Sequence, residues 1–295
     1  MAGWPLSLRG AGLDGEGRAA VARILADPTF ELLPLKSVDD ELQHLPWGAR
    51  ISITASPAKG LDATVGLAER VVDGGFRVVP HLAARMVRDR GHLADIVAGL
   101  AAAGIERVFV VGGDATEPGA YPDGLSLLRD LAEVDHPFRE VGVPCYPEGH
   151  ASIPEPALLS ALREKARYAT YATTQLCFSP PHIGQWIAAR RAEGLALPLE
   201  IGLPGVAPVQ RLIAISARIG VRDTGRFLAR NAGLVSRVLT PGGFKPDGLL
   251  RGLAGIAADP AAGVRTVHLY TFNQIQSTES WRHAYLERIG APAAA

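Results

Sequence analysis

Val141 to His150, VGVPCYPEGH, passes from an apolar run into a crowded polar turn. The run reads as a buried strand that stops at Tyr146, because Pro147 has no N–H to give to a sheet ladder. Glu148 and His150 then fall on the loop just beyond the strand. A phenol, a carboxylate and an imidazole thus share five positions, Tyr146 to His150. On spacing alone the segment also reads as a turn with three solvated polar tips. The functional reading gains weight because other strands of the chain end in the same way.

Seven more stretches read as strands: Phe30–Leu35, Arg50–Ala55, Arg77–Leu82, Arg107–Val111, Tyr171–Phe178, Leu197–Leu203 and Val267–Phe272. Between them lie segments with helical spacing of alanine and leucine. These are Gly15–Ala26, Leu61–Asp73, His92–Ala103, Leu125–Val134, Glu155–Arg167, Ile183–Glu193, Val209–Ile219, Thr224–Leu234, Leu249–Ala258 and Ser280–Ile289. Glycines such as Gly74-Gly75 and Gly104 stop them. Strands alternating with helices imply a parallel sheet, and eight such strands point to a closed (β/α)8 TIM barrel. A doubly wound open sheet is the alternative, but no G-x-G-x-x-G follows the first strand. A single barrel domain over residues 1–290 is expected, with 291–295 as a disordered tail.

Composition narrows the function. The chain has 295 residues, 47% hydrophobic, and a formal net charge of zero. It therefore shows no electrostatic footprint for nucleic acid or an acidic membrane surface. No run of apolar residues is long enough to span a bilayer, and the opening MAGWPLSLRG lacks a signal-peptide pattern. Two cysteines, Cys145 and Cys177, with no Cys-x-x-Cys, fit a reducing compartment. A cytoplasmic protein with small-molecule substrates is expected, its oligomeric state open and a monomer compatible with the sequence.

In a barrel, residues at the ends of the strands converge on one mouth. Here they are Glu31, Thr54, His81, Asp114, Tyr146, Glu148, His150, Gln175, Asn273 and Gln274. Each alone has a structural reading. Glu31 could pair with an arginine, His81 could be a hydrogen-bonded interior histidine, Gln175 could satisfy a neighbouring backbone, and Asp114 could cap a turn. Their coincidence at strand ends is the stronger signal. No metal site is expected, since His81, His150, His182 and His268 have no tight partner spacing. There is no Gly-x-Ser-x-Gly turn for a serine hydrolase. Arginines at 218, 222, 226 and 230 recur every four residues and read as a solvated helical face.

These segments, taken in order, resemble the methylenetetrahydrofolate reductase family. Phe30-Glu31-Leu32-Leu33-Pro34 resembles its FEFFPP strand, and Ile51–Ala55 its VSVTYGA, with Thr54 at the threonine. Pro80-His81-Leu82 resembles PHL, and Gly113-Asp114 the end of LRGD. Tyr146–His150 resembles YPEGHP, Thr174–Phe178 resembles TQFFF, and Tyr270–Asn273 resembles YTLN. Short motifs are weak singly, but seven in register are specific.

The resemblance implies reduction of 5,10-methylenetetrahydrofolate to 5-methyltetrahydrofolate. Glu31 would be the acid that opens the folate ring, and Asp114 would stabilise the developing cation. Gln175 would hydrogen-bond the pterin, with Phe178 beside it and Asn273 and Gln274 toward the rest of the folate. Thr54, His81, Gly113, Tyr146, Glu148 and His150 would line the dinucleotide site. The family usually holds FAD, partly through the arginine of LRGD and through an Asp and an Asn on the helix before the TQ strand. This chain has Gly112, Ala157 and Ser160 at those places. Arg167-Tyr168-Ala169 replaces the family's Ala-Gly-Ala, and Gln274 the arginine after YTLN. The departures put FAD in doubt more than the reaction, and direct hydride transfer from NADH or NADPH is expected. Alternatives are a conventional FAD-dependent member, a non-catalytic folate-binding partner subunit, or a barrel methyltransferase with a folate donor.

Overall fold

The computed structural model describes residues 13–35, 37–150, 152–208, 210 and 244–291. Eight parallel strands close into a barrel in sequence order. They are β1 (Thr29–Leu32), β2 (Arg50–Ile53), β3 (Arg77–Ala83), β4 (Arg107–Val111), β5 (Glu140–Cys145), β6 (Tyr171–Thr174), β7 (Leu199–Pro204) and β8 (Val264–Tyr270). The described helices are α1 (Gly15–Ala26), α2 (Val38–Leu42), α3 (Leu61–Asp73), α4 (Arg90–Ala102), α5 (Gly124–Leu131), α6 (Glu155–Lys165), α7 (Pro180–Ala192), α8 (Asp247–Ala258) and α9 (Ile275–Arg288). The (β/α)8 architecture expected from the alternation of segments is the one observed.

Strand alternation divides the molecule into two interiors. Outward residues such as Phe30, Leu32, Ile51, Ile53, Val108, Val110, Ile201, Leu203 and Leu269 pack against helical leucines, isoleucines and valines in one large core. Each such side chain contributes about 1.5–3 kcal/mol by leaving water. Inward residues are different. Among the described residues, the lumen's apolar cluster is Val79, Phe109 and Tyr171, with Val111 against it. Ser52, His81, Arg107, Thr173, Glu200 and His268 bring buried polar groups to the same axis, which prepares it for chemistry rather than for packing alone.

Helix ends follow local signals. Asp14, Asp89 and Asp123 accept backbone N–H bonds at the starts of α1, α4 and α5, with a capping box at Asp123 and Ser126. α3 buries Leu61, Thr64, Leu67, Ala68 and Val71, a helical stripe. It stops at Gly74-Gly75, where Gly75 has φ of 85° and the Trp47 ring would lie 2.1 Å from any Cβ.

Boundaries shift where the loops begin. β6 ends at Thr174, not Phe178, because the chain turns at Gln175 into α7. Even so, Gln175 N–H bonds to Cys145 O and Cys177 N–H to Gly202 O, so the turn stays tied to both neighbouring strands. β3 runs on to Ala83, which leaves His81 within the barrel wall, two residues short of the strand end. α2, a helix of five residues, falls between the first two expected strands, where no element is read from the sequence. Ala291, placed in the expected tail, bonds through its N–H to Leu286 O and packs on the core. The remaining tail residues, the helices expected at Val209–Ile219 and Thr224–Leu234, and the four-spaced arginines lie outside the described residues.

Candidate active site

Glu31 stands on β1 with its side chain in the lumen, 13% exposed. Its backbone carbonyl accepts the hydroxyl of Thr271, at the end of β8. Its Oε2 lies 3.3 Å from Nε2 of His268 on β8, a ring only 4% exposed. The other nitrogen of that ring, Nδ1, is 4.0 Å from Glu200 Oε2 on β7. Glu200 is itself compensated. Arg107 of β4 bonds its Oε1, and Thr29 donates to its Oε2 at 3.3 Å. Arg107 also pairs with Glu140 at 3.1 Å and lies 4.0 Å from the centre of the Tyr171 ring. Removing either partner would leave the other charge buried and uncompensated.

His81 faces the same lumen from β3. Its Nε2 and Ser52 Oγ of β2 are hydrogen-bonded at 2.7 Å, and its ring lies 4.9 Å from Phe109. Burial lowers its pKa to about 4, with Glu31 pulling the other way and His268 adding to the depression. The imidazole is thus neutral at pH 7, while in the unfolded chain it titrates near 6.5. A depressed histidine favours the native state above the unfolded pKa and loses that contribution as pH falls toward the folded one. Native stability should decline between pH 6.5 and about 4 by about 3 kcal/mol on account of His81. Urea unfolding across this range, compared with His81→Gln, checks it: the variant's slope should be shallower. Equal slopes would refute the assignment.

A second group lies at the mouth. Tyr146, one residue beyond β5, meets the His150 ring edge-on at 5.3 Å between centroids. Burial pushes its phenol up to about 12, with Cys145 and Asp114 adding to the effect. Tyr270 donates to Thr174 O at 3.2 Å, and burial, then Glu31, Cys177 and Tyr146, keep its hydroxyl protonated. Tyr270 therefore links the Glu31 set below to the Tyr146 set above. Asp114 is exposed at the rim. Gly113 before it has φ of 87°, and a Cβ there would sit 3.0 Å from Ala83 Cβ, so glycine is required. Gly112, by contrast, has open space around its would-be Cβ. Thr54, just past β2, gives its N–H to Leu32 O at 3.1 Å.

Several predicted site residues hold loops. Glu148 Oε1 accepts the N–H groups of Phe178 and Ser179 at 2.8 and 2.7 Å. It thereby caps α7 from the neighbouring loop, where Ser179 makes no side-chain cap. Burial raises its pKa and the two backbone bonds oppose the rise. Asn273 accepts the Leu33 N–H at 2.8 Å and donates to Leu33 O at 3.0 Å, joining the β8 and β1 loops. It does so at φ of 54°, a left-handed conformation that asparagine tolerates. Gln274 donates to Asn273 O at 3.0 Å. His150 Nδ1 accepts the N–H groups of Ser152 and Ile153, each at 3.3 Å. Gln175 Oε1 accepts the Leu176 N–H at 2.8 Å, which aims its amide group from the β6 turn. Phe178 is buried, 4% exposed.

The structure therefore brings Glu31 and His81 together in the lumen, and Tyr146, His150 and Asp114 at the rim. It assigns the side chains of Glu148 and Asn273 to loop clasps. Sequence reading passed over Ser52, Glu200, Arg107 and Tyr270, and weighed His268 only as a metal ligand. The signal was present, since Glu200 is a lone carboxylate in an apolar strand, as Glu31 is. His268 and Tyr270 share a face of β8, two residues apart.

A parallel barrel with an acid and two histidines in a polar lumen below an open rim defines an α/β-barrel enzyme. The family model for methylenetetrahydrofolate reductase matches residues 40–222, more than half of the chain, and the chain belongs to that family. The match contains Thr54, His81, Asp114, Tyr146, His150 and Gln175, while Glu31 and Asn273 lie outside it. The membership places the chain among oxidoreductases of folate one-carbon chemistry acting on CH–NH groups.

Solved structures resemble it more distantly. A muconate cycloisomerase from Azorhizobium caulinodans is 13% identical with a TM-score of 0.44. The match covers 87% of this chain but 60% of that one, so the chain spans less than two thirds of that protein. A monomeric dihydrodipicolinate synthase variant is 11% identical, with 91% and 77% of the two chains covered and a TM-score of 0.44. A lyase/mutase from Burkholderia cenocepacia J2315 is 17% identical, with 92% and 85% covered and a TM-score of 0.45. None is close enough to speak for the chemistry of this chain. Among the described residues no helix is long and apolar enough to cross a membrane, and no cluster of three or more His, Cys, Asp or Glu could hold a metal.

Proposed function

We propose that the protein reduces 5,10-methylenetetrahydrofolate to 5-methyltetrahydrofolate, taking hydride directly from NADH or NADPH without a flavin. The observation that carries the reading is Glu31, a carboxyl in the lumen of a barrel that belongs to this family. Opening the imidazolidine ring requires a proton at N10, and a carboxyl sheltered from bulk water beside an imidazole is suited to give it. The resulting 5-iminium cation is offset by carboxylate charge, from Glu31 once it has given up its proton and from Asp114 at the rim. Gln175, its amide fixed by Leu176, offers hydrogen bonds to the pterin edge, while Phe178 is packed into the core and presents little surface to it.

FAD does not fit the residues present. At Gly112 there is open space and no guanidinium, while Ala157 and Ser160 lie exposed on α6 and bring no amide or carboxylate. Glu148 is occupied with backbone N–H groups. In this reading the reduced nicotinamide acts as a second substrate and takes the place of a flavin. Thr54, His81, Gly113, Tyr146 and His150 would surround it.

The test is oxidation of NADH or NADPH that depends on added methylenetetrahydrofolate and yields methyltetrahydrofolate. Absence of turnover with both nucleotides would favour a folate-binding partner subunit. Two substitutions probe the substrate contacts. Gln175→Ala should raise the folate KM with little change in Tm. Asp114→Asn should mainly lower kcat, because charge stabilisation is strongest in the transition state. Unfolding without a binding or rate defect would make either residue structural.

A further inference from the structure

We propose that Glu31 and His268 form a proton-sharing dyad, in which His268 is the positioning residue that retains one proton on the pair and orients the carboxyl. The inference rests on Glu31 being the acid, and it goes further by assigning a role to a residue outside the family match.

The geometry supports it from both sides of the imidazole. Nε2 lies 3.3 Å from Glu31 Oε2, and Nδ1 lies 4.0 Å from Glu200 Oε2. The ring also packs at 5.0 Å between centroids against Tyr270, which supports the face it turns to Glu31. The surrounding charges isolate the pair. Glu200 of β7 is compensated by Arg107 of β4 and by the hydroxyl of Thr29. Arg50 of β2, paired with Asp27, adds a positive field felt by Glu200, and Tyr171 of β6 lies under Arg107. His81 of β3 is held neutral by burial, and Tyr270 of β8 keeps its proton. The charges left to balance in this part of the lumen are those of Glu31 and His268. An unprotonated pair would leave one uncompensated carboxylate in a sheltered site, and a doubly protonated pair one uncompensated cation. One proton between the two groups avoids both.

The same arrangement serves the reaction. The shared proton passes from the Glu31 carboxyl to N10 of the folate. The bond from N10 to the methylene carbon breaks with its electron pair going to N10, and the carbon is left double-bonded to N5 as the iminium. The pair now carries one more negative charge, facing a substrate that carries one positive charge. Hydride from C4 of the reduced nicotinamide adds to the methylene carbon, giving the methyl group and oxidised nicotinamide. A proton from water restores the pair after products leave, so each turnover consumes one proton and one hydride.

Two measurements test this. In protein labelled with ¹⁵N-histidine and ¹³C-glutamate, the His268 ring and Glu31 carboxyl signals should shift together with pH in one step. In Glu31→Gln the His268 step should move to lower pH by about one unit or more, because the neighbouring carboxylate is gone. A His268 step unchanged in folded Glu31→Gln would overturn the dyad. This readout needs no turnover, so it stands even if the reductase reading fails. In the folate-dependent assay, His268→Gln should move the alkaline limb of the kcat profile toward acid by about one pH unit or more, with the folate KM within about threefold of wild type. A loss equal at every pH would mean that His268 only packs. If wild type turns over and the limb stays in place, the dyad fails while the reductase reading survives. Should His268→Gln not fold, His268→Ala with added imidazole provides the same profile, and the titration in Glu31→Gln decides by itself.

Discussion

Glu31→Gln should lower turnover by roughly 10²–10⁴-fold, the range associated with loss of a general acid. Glutamine keeps the volume and planarity of the side chain. The Thr271 hydroxyl bonds to the backbone carbonyl of residue 31, so that contact is untouched. The carboxamide can still meet His268 Nε2 across the present 3.3 Å. What it cannot do is deliver a proton to N10. Without that proton the ring stays closed, no iminium forms, and hydride has nothing to add to. The Tm should therefore stay within a few degrees of wild type while kcat falls, and folate should still bind. Steady-state turnover at saturating substrates, with circular dichroism on the same preparation, separates the two effects. Near wild-type turnover in a folded Glu31→Gln protein would remove Glu31 from the mechanism.

The barrel was legible because its core is redundant. Most outward strand positions are apolar and helices such as α3 and α8 repeat an apolar stripe, so many residues report the same architecture. The interior was less legible because one residue decides each feature there. Glu31 stood out as a lone carboxylate between Phe30 and Leu32. Glu200 has the same signature between Leu199 and Ile201, but its partner Arg107 lies on another strand, and only barrel closure brings the two together. His268 and Ser52 are similar cases. Glu148 and Asn273 show the other side of the difficulty. Polar residues at strand ends attract a functional reading, yet helix starts and left-handed turns also need polar side chains, and these two meet that need with backbone bonds. Spacing along a chain cannot tell a carboxylate aimed at a ligand from one aimed at the next loop's N–H groups.

The protein should purify colourless and turn over with no added FAD. A bound flavin dinucleotide requires anchors along its length, each charge-assisted contact or hydrogen bond contributing about 1.5–3 kcal/mol. Gly112, Ala157 and Ser160 supply none of the three that their positions could hold. Three such absences weaken binding by several orders of magnitude. If no flavin shuttles electrons, nicotinamide and folate would occupy the mouth together, and the kinetics should be sequential, with intersecting reciprocal plots. A flavin-linked enzyme would instead give parallel, ping-pong plots. The structure also allows a gain-of-binding test. A Cβ at Gly112 meets nothing within 4 Å, and the residue is not among the glycines with positive φ, so an arginine can be placed there without strain. Gly112→Arg should tighten FAD binding by roughly 10–100-fold, one anchor's worth, as read by quenching of flavin fluorescence on titration. It should also slow flavin-free turnover as the added side chain and any bound FAD compete with nicotinamide for the mouth. A yellow wild-type protein carrying stoichiometric flavin, or turnover that begins only when FAD is supplied, would show that other residues anchor the dinucleotide and that hydride reaches the folate through it.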